Sequence, residues 1–525
     1  MKAGLLYTGG TIGCVETEAG LSPLNAEDFE TAFNQIVVPI IQNQYKDFTI
    51  DYIRFSPDGT TLDSTNLQPS DWCTIATKIL NYYNTYDFFM VLHGTDTMAW
   101  TASALSFLLT GLDRNGNPNA LLSKPVIITG AQLPLFNKVR DASYMLHYNT
   151  DALKNVCGAV TSCYEGVPEV CLYFDSTLMR GNRTVKTNAS EFDAFSTPNY
   201  PHLGEYGIEF RLNKKRVLPL PTIPSIALDD NTAYEALKAQ LKYLSANINN
   251  TIVMPFPAFP AYCNTSSTPN TSVLSNMLSA CINQGVNGLI IESYGEGNLP
   301  SGNPTTPSEG AIYKTLSTAH KNGVILIDCT QVLSGIVNSQ AYAAGSWLKE
   351  VGAVGAYDMT PIAALTKLIY LNVLAQYNNN HWSQSRIEEL MLTNLVGEIM
   401  FINILVARGN RYLTPGEFII ALDGSAYLLN DPDKGPLLMD YKGNEIFKFP
   451  LLNPTKFPGQ LHMQEDGNLV FYDRDNQAVY ATGTFEIGTR QSRLILGGSY
   501  TKGNLTLYVE NRNVSIKTHP IYEQR

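Results

Sequence analysis

The sequence predicts a doubly wound α/β protein that ends in a smaller all-β module. Two observations predict the first part. Short apolar runs alternate with helix-length patterns, and polar glycine-rich turns follow several of those runs directly. A third predicts the second part: after about residue 410 the helical pattern gives way to short alternating segments broken by Gly, Asn and Asp.

The first strands are expected at Ala3–Tyr7, Phe88–Leu92, Val126–Thr129, Ala159–Ser162 and Val170–Phe174. Each is short, apolar and bounded by Gly, Pro or polar residues, as buried parallel strands are. Helical patterns at Ser70–Tyr82 and Ala99–Leu109 lie between them. A Pro-rich stretch follows, and a second β/α series is expected at Thr251–Pro255, Gly288–Glu292 and Gly323–Asp328. Asn264–Ser272 reads as an exposed loop. A helix should start at Asp358-Met359-Thr360-Pro361, where Asp or Thr can cap it and Pro361 suits its first turn. The expected division is a first α/β domain over 1–205, a linker over 206–225, a second α/β domain over 226–408 and the β module over 409–525. Within that module, segments such as Gly459–Tyr472, Arg493–Leu496 and Leu505–Val509 read as strands, and one unit recurs weakly around Ala421–Leu429, Gln464–Tyr472 and Tyr500–Tyr508.

The chain has 525 residues and a formal charge of −11, with no basic stripe, so nucleic acid is not an expected partner. No run approaches the roughly 18 apolar residues of a membrane span. The apolar start at Gly4-Leu5-Leu6-Tyr7 is too short for a secretory signal, so a cytoplasmic location is expected. The eight cysteines, Cys14, Cys73, Cys157, Cys163, Cys171, Cys263, Cys281 and Cys329, contain no CxxC pair. They read as reduced thiols, and a zinc or other metal site is not expected.

Three turns follow apolar strands directly: Thr8-Gly9-Gly10-Thr11-Ile12-Gly13, His93-Gly94-Thr95-Asp96-Thr97 and Thr129-Gly130-Ala131-Gln132. In an open α/β sheet such turns face one crevice at the carboxyl ends of the strands. Glycines let backbone N–H groups approach an anion or a developing oxyanion. A threonine hydroxyl becomes a nucleophile only when a base takes its proton. Taken alone, each is an ordinary Gly-rich turn, and Gly9-Gly10-x-x-Gly13 fits neither nucleotide-binding pattern.

The two signatures Thr8–Gly13 and His93–Met98 resemble those of bacterial-type L-asparaginases. The resemblance continues through Asp63–Leu67, Thr129–Gln132, Tyr294–Asn298, Thr330–Gly335 and Asn394–Glu398. The later segments resemble the cytosolic branch of that family. The resemblance implies amide hydrolysis through a threonine acyl-enzyme without a cofactor, in a homodimer or homotetramer, with asparagine as substrate. It implies Thr11 as nucleophile and Thr95, Asp96 and Lys186 as its catalytic partners. Asp96 would also bind the substrate ammonium. Gly10, Ser64, Thr65 and Asn298 would line the substrate, Asn298 from the second domain or a neighbouring subunit. His93 would shape its turn. Leu21 stands where the family carries a loop tyrosine, and leucine cannot pass a proton. Glu292 and Val332 stand where some of these enzymes carry an Arg and a Cys of a second asparagine site, so that site is not expected.

In the β module, Gln464, Asp466, Asn468, Val470 and Tyr472 are spaced by two, which on a single strand puts all five on one face. Amide, carboxylate and phenol groups around an apolar side chain suit the hydroxyls and C–H patches of a sugar. Gln-x-Asp-x-Asn-x-Val-x-Tyr resembles the mannose-binding motif of bulb-type lectins, which implies a β-prism of three four-stranded sheets and a mannose-type glycan as partner. Two readings compete with asparagine hydrolysis: a binding or assembly protein with an impaired enzyme domain, and an amidase for glutamine or another amide.

Overall fold

The structure is a computed structural model that describes the chain except residues 19, 141–142, 215, 219, 222–223, 267–270, 338–342, 400–403, 408–411, 422–424, 486–491, 513–515 and 525. Its largest element is an eight-stranded sheet. Five parallel strands form its centre in the spatial order Thr49–Arg54, Lys2–Tyr7, Phe88–Leu92, Val126–Thr129 and Val170–Phe174. Three antiparallel strands, Thr177–Arg180, Gly204–Tyr206 and Phe210–Leu212, extend one edge. The chain leaves Lys2–Tyr7 toward one side and returns at Phe88–Leu92 on the other. The direction of winding therefore reverses between these two strands, which is where an open α/β sheet binds its ligand.

The sheet is covered on both faces. The helix Pro69–Asn81 starts with Pro69 in its first turn and a reciprocal Gln68/Asp71 cap, and it buries the stripe Trp72, Ile75, Ala76, Ile79 and Leu80. Met98–Leu108 is buried almost all round because it lies between the sheet and the helix Pro361–Leu374. Thr360 caps that second helix, its hydroxyl accepting from Ala363 N, and Pro361 occupies the first turn as expected. The contact between the two helices joins the first sheet to a second. The latter is a four-stranded parallel sheet of Val253–Pro257, Gly288–Ser293, Ile325–Thr330 and Val354–Gly355.

Some expectations change. Ala159–Ser162 lies inside the helix Ala152–Tyr164, whose buried residues recur at Ala152, Val156, Ala159, Val160 and Cys163. A four-residue apolar window cannot distinguish that period from a strand. The stretch expected as a linker from 206 begins in the edge hairpin of the large sheet. The loop expected at Asn264–Ser272 is bracketed by a short antiparallel pair, Cys263–Asn264 with Thr271–Ser272, and 267–270 lie outside the described residues.

The C-terminal region consists of three four-stranded antiparallel sheets. They are Ile404–Val406 with Arg493–Gly497, Thr506–Arg512 and Ile516–Glu523; Tyr412–Leu413 with Gln460–Met463, Leu469–Tyr472 and Ala478–Ala481; and Phe418–Ile420 with Ala426–Asp431, Gly435–Asp440 and Glu445–Lys448. Leu428, Leu438, Leu461, Phe471, Leu494 and Leu507 from all three meet in one core. The internal repeat is real but its first copy is displaced. The hairpin equivalent to Gln460–Tyr472 is Ala426–Asp440, not Ala421–Leu429. Asp440 accepts from the backbone of Lys442 and Asn444 at 2.9 and 2.8 Å, and Asp473 accepts from that of Asp475 and Gln477 at 3.0 and 2.9 Å. Of the segment Ala421–Leu429, residues 422–424 lie outside the described residues.

Among the described residues no helix is long and apolar enough to cross a membrane, and no group of three or more His, Cys, Asp or Glu side chains could hold a metal. All eight cysteines carry free thiols.

Candidate active site

The turns after Lys2–Tyr7 and Phe88–Leu92 meet at the reversal point of the large sheet. Thr8 donates both its N–H and its hydroxyl to Leu92 O, at 3.0 and 2.9 Å, which locks the two strand ends together. A Cβ on Gly10, whose φ is 89°, would stand 2.3 Å from the Gly94 Cα, and one on Gly94 would stand 2.4 Å from the Ser64 hydroxyl. Only glycine permits this approach, so Gly10, Ser64 and Gly94 share one point. Ser64 lies in a one-turn helix, Ser64–Asn66, capped by Asp63, which accepts from Thr65 N. The Thr97 hydroxyl donates to Ser64 O at 2.8 Å and ties that turn to the second signature.

Thr11 opens the one-turn helix Thr11–Gly13 and is half-buried; among the described residues nothing engages its hydroxyl. The turn rests on Tyr7. A Cβ on Gly13 would stand 1.8 Å from the Tyr7 oxygen, and the Tyr7 ring stacks on Phe29 with centroids 4.1 Å apart. Burial pushes the Tyr7 phenol well above its ordinary range, and its oxygen has no hydrogen-bond partner.

Lys186 comes from a two-residue strand, Val185–Lys186, that follows the helical turn Gly181–Arg183. Its Nζ donates to Thr95 Oγ1 at 3.0 Å and to Asp96 Oδ1 at 2.9 Å. Thr95 is buried, and its hydroxyl donates onward to Gln132 Oε1 at 3.3 Å. Ammonium, hydroxyl and amide thus form a directed chain beside a carboxylate open to solvent.

Sequence reasoning noted the turn that holds Gln132 but assigned the side chain no place in the site. It also passed over Asp151, whose carboxylate accepts from Gln132 N at 2.9 Å and Leu133 N at 3.1 Å and so fixes that turn. Asp151 lies 19 residues further along the chain, and no local pattern connects the two. His93 is fully buried and pushed down to about 4 by that burial, so its ring is neutral. It bridges Gly94 O and the Thr101 hydroxyl, at 2.7 and 2.9 Å, as a turn-shaping residue would.

Two features stand apart. Asn298 belongs to the loop after Gly288–Ser293 in the second sheet, and its amide donates to Gly295 O at 2.8 Å. Among the described residues no hydrogen bond joins it to the Thr95–Lys186 group. Leu21 lies on the hairpin of Cys14–Thr17 and Gly20–Pro23, opposite Glu16, and is 54% exposed.

The motif in the β module is not one strand. Gln464–Asn468 forms the hairpin turn between Gln460–Met463 and Leu469–Tyr472, with Gln464 N donating to Asn468 O at 2.9 Å. Gly467, at φ 91°, makes the reversal possible. Val470 and Tyr472 share a strand face, but Val470 is only 3% exposed. The Gln464 amide donates to the Tyr472 oxygen at 2.8 Å, while Asp466 and Asn468 belong to the turn, with Asp466 exposed. A period of two on paper cannot reveal a turn inserted into the run.

Known proteins carry the same framework. The model for "Asparaginase, N-terminal" matches residues 2–218, and that for "Glutaminase/Asparaginase C-terminal domain" matches residues 271–389. The chain is 34% identical over 394 residues to L-asparaginase 1 of Escherichia coli K12, covering 75% of this chain and 96% of that protein. The crystal structure of L-asparaginase I from Vibrio cholerae is similar with a TM-score of 0.55 and 30% identity, over 76% of this chain and 98% of that one. The thermostable L-asparaginase from Thermococcus kodakarensis is similar with a TM-score of 0.54 and 26% identity, over 76% and 99%. Fold, turns and matches define an amide-hydrolysing enzyme. Within that class the chain belongs to the bacterial-type L-asparaginase family. Both family matches end before the three-sheet region.

Proposed function

We propose that the protein hydrolyses the side-chain amide of L-asparagine, releasing ammonia and L-aspartate through an acyl-enzyme on Thr11. The observation that carries this reading is the Lys186 ammonium bridging Thr95 Oγ1 and Asp96 Oδ1 at 3.0 and 2.9 Å. The Thr11 oxygen attacks the amide carbon, and backbone N–H groups at the Gly10–Thr11 turn face the developing oxyanion. The amide nitrogen takes the proton that the Thr11 hydroxyl gives up and leaves as ammonia. Water then attacks the ester, passing a proton through the Thr95 hydroxyl to Lys186 Nζ in its neutral amine form, and that proton returns to the Thr11 oxygen as aspartate leaves. Asp96 takes the substrate's α-ammonium in competition with Lys186, so substrate binding loosens the carboxylate's grip on the lysine. Ser64, Thr65 and Gly10 hold the rest of the substrate. Asn298, from the second sheet of the same chain or of a second copy, closes the pocket, and a homodimer or homotetramer is the working form.

Ammonia release from L-asparagine, followed beside a Lys186→Met variant, tests the reading. Loss of one proton-transferring group costs about 10²–10⁴-fold, so the variant is expected to turn over that much more slowly. Equal rates would remove Lys186 from the chemistry. If glutamine is hydrolysed faster than asparagine, the substrate assignment changes and the mechanism stands.

We also propose that the three-sheet module binds a mannose-type glycan at one site around Asp466, Asn468 and Tyr472. The complete Gln464–Tyr472 motif and the exposed turn that carries Asp466 support this. A millimolar affinity is expected per site, with avidity from the oligomer. Titration with methyl-mannoside by NMR should show binding that the pair Asp466→Ala and Asn468→Ala abolishes. Unchanged binding in that pair would refute the site.

A further inference from the structure

The segment Asn394–Glu398 has no place in the chemistry above, yet it is tied to the lysine through buried groups. Glu398 is fully buried and clamps the turn it ends. One carboxylate oxygen accepts from Leu395 N at 2.9 Å and the other from Val396 N at 2.8 Å. Lys367, fully buried on the helix Pro361–Leu374, meets that carboxylate at 2.7 Å and donates to Met391 O and Thr393 O at 2.9 and 2.6 Å. So clamped, the turn presents two carbonyls to the first sheet. Val396 O accepts from the Asn182 amide at 3.1 Å, and Gly397 O accepts from Arg183 Nε at 2.8 Å. Arg183 is anchored on its other side by Asp358 at 2.7 Å. Asn182 and Arg183 form the helical turn from which Val185–Lys186 issues directly.

Gly397 has no substitute in this arrangement. Its φ is 88°, and a Cβ there would stand 2.5 Å from the Arg180 guanidinium. A buried ion pair is weak as a source of stability, because desolvation offsets most of its attraction, and holding a geometry is its better-attested use.

We propose that the Lys367–Glu398 pair is a positioning element for the Lys186 ammonium, acting through the Val396 and Gly397 carbonyls on Asn182 and Arg183. It rests on the reading of Lys186 given above. A lysine side chain has four rotatable bonds and is held in the site by its backbone segment, and a misplacement of about 1 Å can cost on the order of 10²-fold in rate.

A double-mutant cycle between Glu398→Gln and Lys186→Ala tests it, with turnover, KM, the pH profile and the melting temperature measured on all four proteins. Glu398→Gln puts an N–H donor where a backbone N–H or the Lys367 ammonium needs an acceptor. The expected result is a fall of about 10- to 100-fold in kcat with KM changed less than about threefold and a displaced pH profile. In the Lys186→Ala background the same substitution should leave kcat unchanged while still lowering the melting temperature. Additive losses in kcat across the cycle, or unchanged kcat in a folded Glu398→Gln protein, would overturn the proposal. Should Glu398→Gln not fold, Asn182→Ala, which removes one donor to Val396 O, enters the same cycle with the same two outcomes. If Lys186→Ala alone turns over at the wild-type rate, the mechanism fails instead, and the cycle separates the two failures.

Discussion

Replacing Thr11 with alanine is expected to lower ammonia release from L-asparagine by on the order of 10⁴- to 10⁶-fold, the scale seen when an attacking side chain is removed from a catalytic set. The loss should fall on kcat, because Gly10, Ser64 and Asp96 still offer the substrate its contacts. Thr95→Ala is expected to be less severe. The two threonines differ in surroundings: the Thr95 hydroxyl sits between Lys186 Nζ and Gln132 Oε1, whereas nothing among the described residues engages that of Thr11. An attacking oxygen needs an open approach, and a hydroxyl committed on two sides suits proton relay. Quenched-flow mass spectrometry should find the aspartyl ester on Thr11. An ester on Thr95, or a Thr11→Ala protein within tenfold of wild type, would exchange the roles.

The same result bears on Leu21. The leucine is half exposed on a hairpin beside the Thr11 turn and offers no proton. If wild-type turnover is brisk, the phenol that the family carries there is dispensable in this chain. If it is slow, Leu21→Tyr should raise kcat.

Much of this site was legible in the sequence because its parts lie at strand ends. A five-residue apolar run followed by Thr-Gly-Gly-Thr or His-Gly-Thr-Asp fixes both a strand and the turn it delivers, and the structure brings Gly10, Gly94 and Thr97 from two such segments together with Ser64 from the separate turn Ser64–Asn66. Lys186 is different. It sits on a two-residue strand with no periodicity, and only the family resemblance singled it out. Gln132 and Asp151 were missed because their partnership is made in space. The β module shows the opposite failure. The alternation from Gln464 to Tyr472 is regular, but Gly467 reverses the chain within it, and a period of two says nothing about where a hairpin turns. The repeat register failed at Ala421–Leu429 for the related reason that side chains had diverged while the hairpin geometry, marked by Asp440 and Asp473, persisted.

A second large effect is expected far from Thr11. Asp328 lies on Ile325–Thr330, inside the second sheet, 1% exposed, with neither carboxylate oxygen hydrogen-bonded. The turn at Gly297 closes over it, since a Cβ there would stand 2.7 Å from Oδ2. Burial pushes its carboxyl up to about 8. The folded protein therefore holds a proton that the unfolded chain, with its ordinary value of 3.8, gives up. Stability from this group is fully present below about pH 4 and is lost as pH rises toward about 8, at about 1.4 kcal/mol per unit. Asp328→Asn is neutral throughout and escapes that slope. Its amide leaves a buried donor unsatisfied, which costs about 1–3 kcal/mol, but that cost does not vary with pH. The variant should therefore melt near or below the wild type at pH 5 and above it at pH 8. The diagnostic is the change in the gap between the two melting temperatures; a gap that stays flat from pH 5 to 8 would mean that Asp328 is ionised in the folded protein.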